Sequence, residues 1–220
     1  MSALIIASVG CASGFKMRVS DIHVVPARTV LLPTTMRAYG LDYGNHHLDE
    51  EEKTAALEHA VGAEFERQAT SKGAFLLPRD RVRACGSECM SLLSTAIRWG
   101  ERATVEIARL QAGVVRSERS SVGQWRHGRD FRLLRQAIDA DFVLIVHVHD
   151  VQETDGRKLA ETIGGPVTVF KRVLIACALE LGSGRMVWCS SRADRLKDYY
   201  LDLNAPDQAR QVVGEVLADF

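Results

Sequence analysis

From Asp141 to His149 the chain reads Asp-Phe-Val-Leu-Ile-Val-His-Val-His, apolar at both alternating parities. Successive side chains on a strand point to opposite faces, so a run apolar on both must be covered on both. It therefore predicts a central strand with packed layers on each side, and an architecture in which helices supply them.

The neighbouring segments supply strands and helices in a compatible order. Ala27-Arg-Thr-Val-Leu-Leu-Pro33 is a short apolar run stopped by proline, and Ala74-Phe-Leu-Leu77 before Pro78 is another; both read as buried strands. Between them Leu57, Val61 and Phe65 recur every four residues behind Asp49-Glu-Glu-Glu52. That spacing predicts an amphipathic helix over 49–71, its acidic first turn complementing the helix dipole. Leu93, Ile97, Ile107 and Leu110 mark a helix over 90–111, with Gly100 as a kink or break. Phe131, Leu134 and Ile138 place a helix over 129–140, and Val212, Val213, Val216 and Leu217 one over 208–220. Residues 168–181 and 185–190 read as a hairpin about Gly182-Ser-Gly184. Residues 37–48, rich in Gly, Tyr and Asn, read as a loop, and 113–128 as a basic Ser/Gly connection. The expected fold class is α/β (α+β): a single mixed sheet of about five strands with packed helices and a C-terminal helix.

Composition limits the partners. The 220 residues, 46% hydrophobic, suffice for one sizeable core and not for two clear domains. Twenty-eight basic side chains against 28 acidic ones argue against a nucleic-acid partner, which draws its affinity from clustered excess cations.

The N-terminus carries the strongest functional signal. Met1-Ser-Ala-Leu-Ile-Ile-Ala-Ser-Val-Gly-Cys11 is an uncharged apolar run ending in small residues and a cysteine, with Ala12-Ser13-Gly14 behind it. It has the form of a bacterial lipoprotein signal, in which the cysteine takes the lipid and becomes the first mature residue. The basic region that should precede the apolar stretch is missing, since the first basic residue is Lys16. Residues 1–10 are therefore read as a truncated signal whose natural start lies upstream. Residues 11–26 follow as a lipid-anchored tether, and 27–220 as one periplasmic α/β domain with a helical insertion about 85–125. A buried methylene contributes about 0.8 kcal/mol, so a single chain binds marginally while two or more hold permanently. Asp after the cysteine would retain such a protein at the inner membrane; Ala12 points to the outer one.

Four further cysteines, Cys85, Cys89, Cys177 and Cys189, suit export to an oxidising compartment. Cys177 and Cys189 are symmetric about Gly182-Ser-Gly184, which makes them a candidate disulfide. Counted from a Leu181/Arg185 closing pair, however, they fall at a wider, hydrogen-bonded position that suits a bridge poorly, leaving two buried thiols as the alternative. Cys85 and Cys89, four apart around Gly86, either bridge or lie unpaired in a first helical turn.

His147 and His149, alternate residues at the end of the central strand and followed by Asp150, share a face and are the candidate metal or acid–base pair. Further ligands would have to come from the loop, where His46 and His47 lie. No phosphate-binding glycine loop, G-x-S-x-G elbow or H-E-x-x-H helix occurs. No cofactor is implied. The stretch Arg116–Arg129 around Trp125 reads as a solvated loop, or as a contact for an anionic surface.

These motifs carry a resemblance. Cys11, Val30-Leu-Leu-Pro33, Ser121-Val-Gly-Gln-Trp-Arg-His-Gly128, Ala140-Asp-Phe-Val-Leu-Ile-Val-His-Val-His-Asp150 with Gly156-Arg157, and Leu179-Glu-Leu-Gly-Ser-Gly-Arg-Met-Val-Trp188 together resemble a group of uncharacterised proteobacterial lipoproteins of this length. More distantly, the order of elements is similar to the periplasmic α/β domain of CsgG, PelC, LpoB and the TolB amino-terminal region. Cys189 after Val-Trp, the abbreviated signal and the helix near 85–125 depart from that pattern. The resemblance implies a palmitate-type lipid anchor on the periplasmic face of the outer membrane. It also implies a non-enzymatic role, by protein binding or homo-oligomerisation, in envelope export or assembly. A peptidoglycan-synthase activator is the first alternative, and a metal-dependent hydrolase using His147 and His149 the second.

Overall fold

The computed structural model describes residues 4–8, 13–18, 27–32, 36–41, 47–49, 51–77, 85–111, 131–153, 170–195 and 206–220. Its strands are β1 (Leu4–Ser8), β2 (Ser13–Arg18), β3 (Arg28–Leu32), β4 (Met36–Leu41), β5 (His47–Asp49), β6 (Phe75–Leu76), β7 (Phe142–Glu153), β8 (Phe170–Glu180) and β9 (Arg185–Arg195). Its helices are α1 (Glu51–Ser71), α2 (Ser87–Gln111), α3 (Arg132–Ile138) and α4 (Pro206–Val216). The expected strands form the body of one mixed sheet in the order β9-β8-β7-β3-β6, and β1, β2, β4 and β5 extend it.

The run that opened the sequence reading is the hub. β7 is parallel to β3 along its first half and to β4 along its second, and antiparallel to β8 on its other edge. Leu32 faces Ile145 and Met36 faces Val148, so four residues on one side span three on β7. Pro33, which cannot donate to a ladder, falls in that interval. The segment 37–48, expected as a loop, instead contributes β4 and β5, paired antiparallel with Tyr39 opposite Asp49. Residues 13–18, expected within a tether, form β2 and pair with β9.

Both faces of β7 are covered, as its composition requires. On one, Leu144, Val146 and Val148 join Leu174, Ala176 and Trp188 beneath Leu57, Val61 and Phe65 of α1, Val212, Val213 and Val216 of α4, and Leu217 just beyond it. On the other, Val143 and Ile145 join Val30, Ile175 and Leu179 beneath Leu93, Ala96, Ala103 and Ile107 of α2 and Leu134 and Ile138 of α3. Each such aliphatic side chain contributes about 1.5–3 kcal/mol by leaving water. The expected insertion near 85–125 thus holds a helix that is one half of the core.

α2 runs unbroken through Gly100, where a kink or break was expected. The glycine marks close approach: a Cβ there would lie 2.6 Å from both Cγ2 and Cδ1 of Ile145. The helix crosses β7 so tightly at this point that any side chain would push it off the sheet.

Candidate functional site

Cys11, the candidate lipid-attachment residue, lies outside the described residues, between β1 and β2. Ser8 stands opposite Gly14 and Leu4 opposite Arg18, so the segment containing Cys11 joins two antiparallel strands at one end of the sheet. β2 in turn lies along β9, with Ser13 opposite Ala193 and Arg18 opposite Trp188.

The strand histidines are placed by β7. The face that carries Val143 and Ile145 to α2 also carries His147. The imidazole is largely enclosed, and its Nδ1 is buried without a hydrogen-bond partner. Burial pushes its pKa below the usual histidine value, against the opposing pull of Glu101 on α2. His147 is therefore held neutral. His149 is half-buried one step further along, with Arg37 of β4 opposite it in register. His47 faces Leu41 in the β4–β5 pair, and Leu41 faces Glu153. That places its backbone roughly 13 Å along the strand direction and roughly 10 Å across from His149. His46 lies outside the described residues. Among the described residues, no three His, Cys, Asp or Glu side chains form a group that could hold a metal.

The cysteines are bridged. Cys85 and Cys89, with Cα atoms 5.3 Å apart, are joined across the start of α2. Cys177 and Cys189 are joined across β8 and β9 with Cα atoms 4.1 Å apart, the close spacing of a pair without mutual hydrogen bonds. The wider position expected for them assumed uninterrupted pairing from Leu181/Arg185. Instead Glu180 faces Arg185 and Leu179 faces Met186, whereas Ala178 faces Trp188. One extra residue on β9 shifts the phase. Val187 and Trp188, though adjacent, both face the α1/α4 core, and Cys189 faces the α2 core.

That bulge also seats the tryptophan of the Val-Trp motif. Trp188 is fully buried and meets Phe220 edge-to-face, ring centroids 5.0 Å apart. The Gly182–Gly184 turn is structural: Gly184 adopts φ 65°, and its N–H donates to the Glu180 carbonyl at 2.9 Å.

One polar cluster had no sequence signal. At the N-terminal ends of β3 and β7, Arg28 bridges Asp139 and Asp141, and Arg135 of α3 reaches Asp141 at 2.6 Å. Burial pushes the Asp141 carboxyl up, but the hydrogen bonds from Arg28 and Arg135 outweigh it and hold the carboxyl below its usual range. Two cations on two carboxylates leave no open charge, so the cluster fastens α3 to the sheet. Trp125 with its basic stretch, and Gly156-Arg157, lie outside the described residues. No helix among the described residues is long and apolar enough to cross a membrane.

No family model matches the chain, nor does any curated protein. Among solved structures it is similar to the PelC dodecamer from Paraburkholderia phytofirmans, at 9% identity and TM-score 0.41 over 94% of this chain and 95% of that one. It is also similar to lipoprotein GNA1162 from Neisseria meningitidis, at 14% identity and TM-score 0.35 over 88% of this chain and 98% of that one.

Proposed function

We propose that this protein is an outer-membrane-anchored lipoprotein whose periplasmic α/β domain works by binding envelope proteins or further copies of itself, without catalysing a reaction. The observation that carries the reading is the uncharged apolar run ending in small residues at Cys11. The thiol takes a thioether-linked diacylglyceryl group from a phospholipid, whose head group leaves as its phosphate ester. Several acyl chains then hold the domain to the bilayer permanently.

Two features of the fold support it. Both described cysteine pairs are bridged, which suits an oxidising compartment and not a reducing cytosol. The best candidate for chemistry, His147, lies partly buried on the sheet face that α2 covers, with its pKa lowered by that burial. The domain then acts through its surfaces, in export or assembly of envelope material.

The test is metabolic labelling with a radioactive fatty acid. The parent chain takes up label and fractionates with the outer membrane, whereas Cys11→Ala is unlabelled and leaves the membrane fraction. An unlabelled parent, recovered uncut from the cytosol, would refute the anchor. Stoichiometric zinc in the purified protein would instead favour a metal enzyme.

A further inference from the structure

The two disulfides stand in opposite settings. Cys177 and Cys189 are fully buried within the sheet, beneath α2 and out of reach of another thiol. Cys85 is part-exposed, and Gly86, Ser87, Glu88 and Met90 near it are exposed. Only Cys89 turns to the core, beside Leu92 and Leu93. No atom of the described residues lies within 4 Å of where a Cβ on Gly86 would stand, so the backbone next to Cys85 is open on that side.

Thiol–disulfide exchange needs access to one sulfur and a stabilised leaving thiolate on the other. The part-exposed Cys85 supplies the first. Cys89 supplies the second: it is the third residue of α2, in the first turn, where the helix dipole favours an anion. That turn does not depend on the bridge, because the Met90 N–H donates to the Gly86 carbonyl at 2.9 Å.

We propose that Cys85 and Cys89 are a redox-active pair that exchanges with a dithiol protein of the same compartment, while Cys177–Cys189 stays closed. A thiolate of the partner attacks Sγ of Cys85 and forms a mixed disulfide. The Cys85–Cys89 bond breaks, and its electron pair leaves on Sγ of Cys89, which takes up a proton. The partner's second thiolate then attacks its own sulfur in the mixed disulfide and releases Cys85 as a thiol. Two electrons and two protons pass to the bridge, and the partner departs as a disulfide. Reduction unties Cys85 from α2 and leaves Leu93, Ala96, Ala103 and Ile107 seated on the sheet, so the domain is folded in both states.

The test uses the full chain with Cys11→Ser, oxidised with glutathione disulfide, so that only the four other cysteines can react. Reduced thioredoxin is added, free thiols are blocked with iodoacetamide, and peptide mapping reads each cysteine. Cys85 and Cys89 should be alkylated at least about tenfold faster than Cys177 and Cys189, with the near-ultraviolet circular dichroism unchanged. Equal rates for the two pairs, loss of the dichroism in step with reduction, or a chain that never forms the Cys85–Cys89 bridge would each overturn the proposal. Thioredoxin with its second cysteine replaced by serine then traps the intermediate. A mixed disulfide on Cys85 supports the route; one on Cys89, or none, overturns it. Fatty-acid labelling reads Cys11 separately, so the anchor and the exchange can fail independently.

Discussion

Replacing Gly100 by alanine sets two local effects against each other, and the structure decides which wins. In an exposed helix the change would be stabilising by about 1 kcal/mol, because glycine is the poorer helix former. Here the new methyl would lie 2.6 Å from two carbons of Ile145 and 3.2 Å from a third, well inside the 3.4 Å at which ordinary contact begins. Ile145 is 1% exposed and packed on every side, so it has no free space into which to turn. The helix must lift instead, loosening Leu93, Ala96, Ala103 and Ile107 from the sheet. Overpacking costs about 1–3 kcal/mol, and contacts this short belong to the upper part of that range, about 2–3 kcal/mol, leaving a net loss of about 1–2 kcal/mol after the propensity gain. For a domain of this size that lowers the melting temperature by roughly 2–8 °C. Urea titration of the parent, Gly100→Ala, Ile145→Ala and the double variant would measure it. Ile145→Ala alone costs about 2–5 kcal/mol as a cavity. The double variant should lose less than the two single losses together, because the added methyl enters the space vacated. A Gly100→Ala chain as stable as the parent, or strictly additive losses, would refute close approach as the reason for the glycine.

Two more outcomes follow from the core. His147 is neutral in the fold with its pKa lowered, so the unfolded chain binds more protons as the medium acidifies. Its contribution is complete above about pH 6.5 and is lost as pH falls, with a slope of at most about 1.4 kcal/mol per pH unit. His147→Leu should flatten that part of the stability profile, and an unchanged slope would contradict the burial. The Cys177–Cys189 bridge closes a loop with a sequence separation of 12. The paired Cys177→Ala and Cys189→Ala substitutions should therefore cost about 3 kcal/mol in denaturant titration; a loss under about 1 kcal/mol would show that the bridge does little.

What the sequence disclosed follows the range of the forces involved. β7 was legible because a run apolar on both parities has few other uses, and α1 because Leu57, Val61 and Phe65 repeat at helical spacing within one segment. Gly100 was misread as a break because local propensity knows nothing of Ile145, which only the folded sheet brings beneath it. β4 and β5 were missed because β4 carries Gly40 and β5 has only three residues, too little alternation for either to declare itself. The Arg28 cluster joins residues 111 and 113 apart, a separation over which pattern carries no information. At the candidate site, the shared face of His147 and His149 was readable from period 2. The cover that α2 lays over His147 was not.

Because a strand alternates by twos, its side chains have something like a reading frame, and β9 changes frame at Val187. Upstream and downstream of that residue the same strand obeys opposite parities. Removing Val187 would restore plain alternation and keep the indole towards Phe220 and the thiol towards Cys177. Removing a residue further along, such as Ser190, would act as a frameshift in space and deliver every later residue of β9 to the wrong side. A one-residue deletion should therefore be far better tolerated at Val187 than at Ser190, where no extra residue absorbs it.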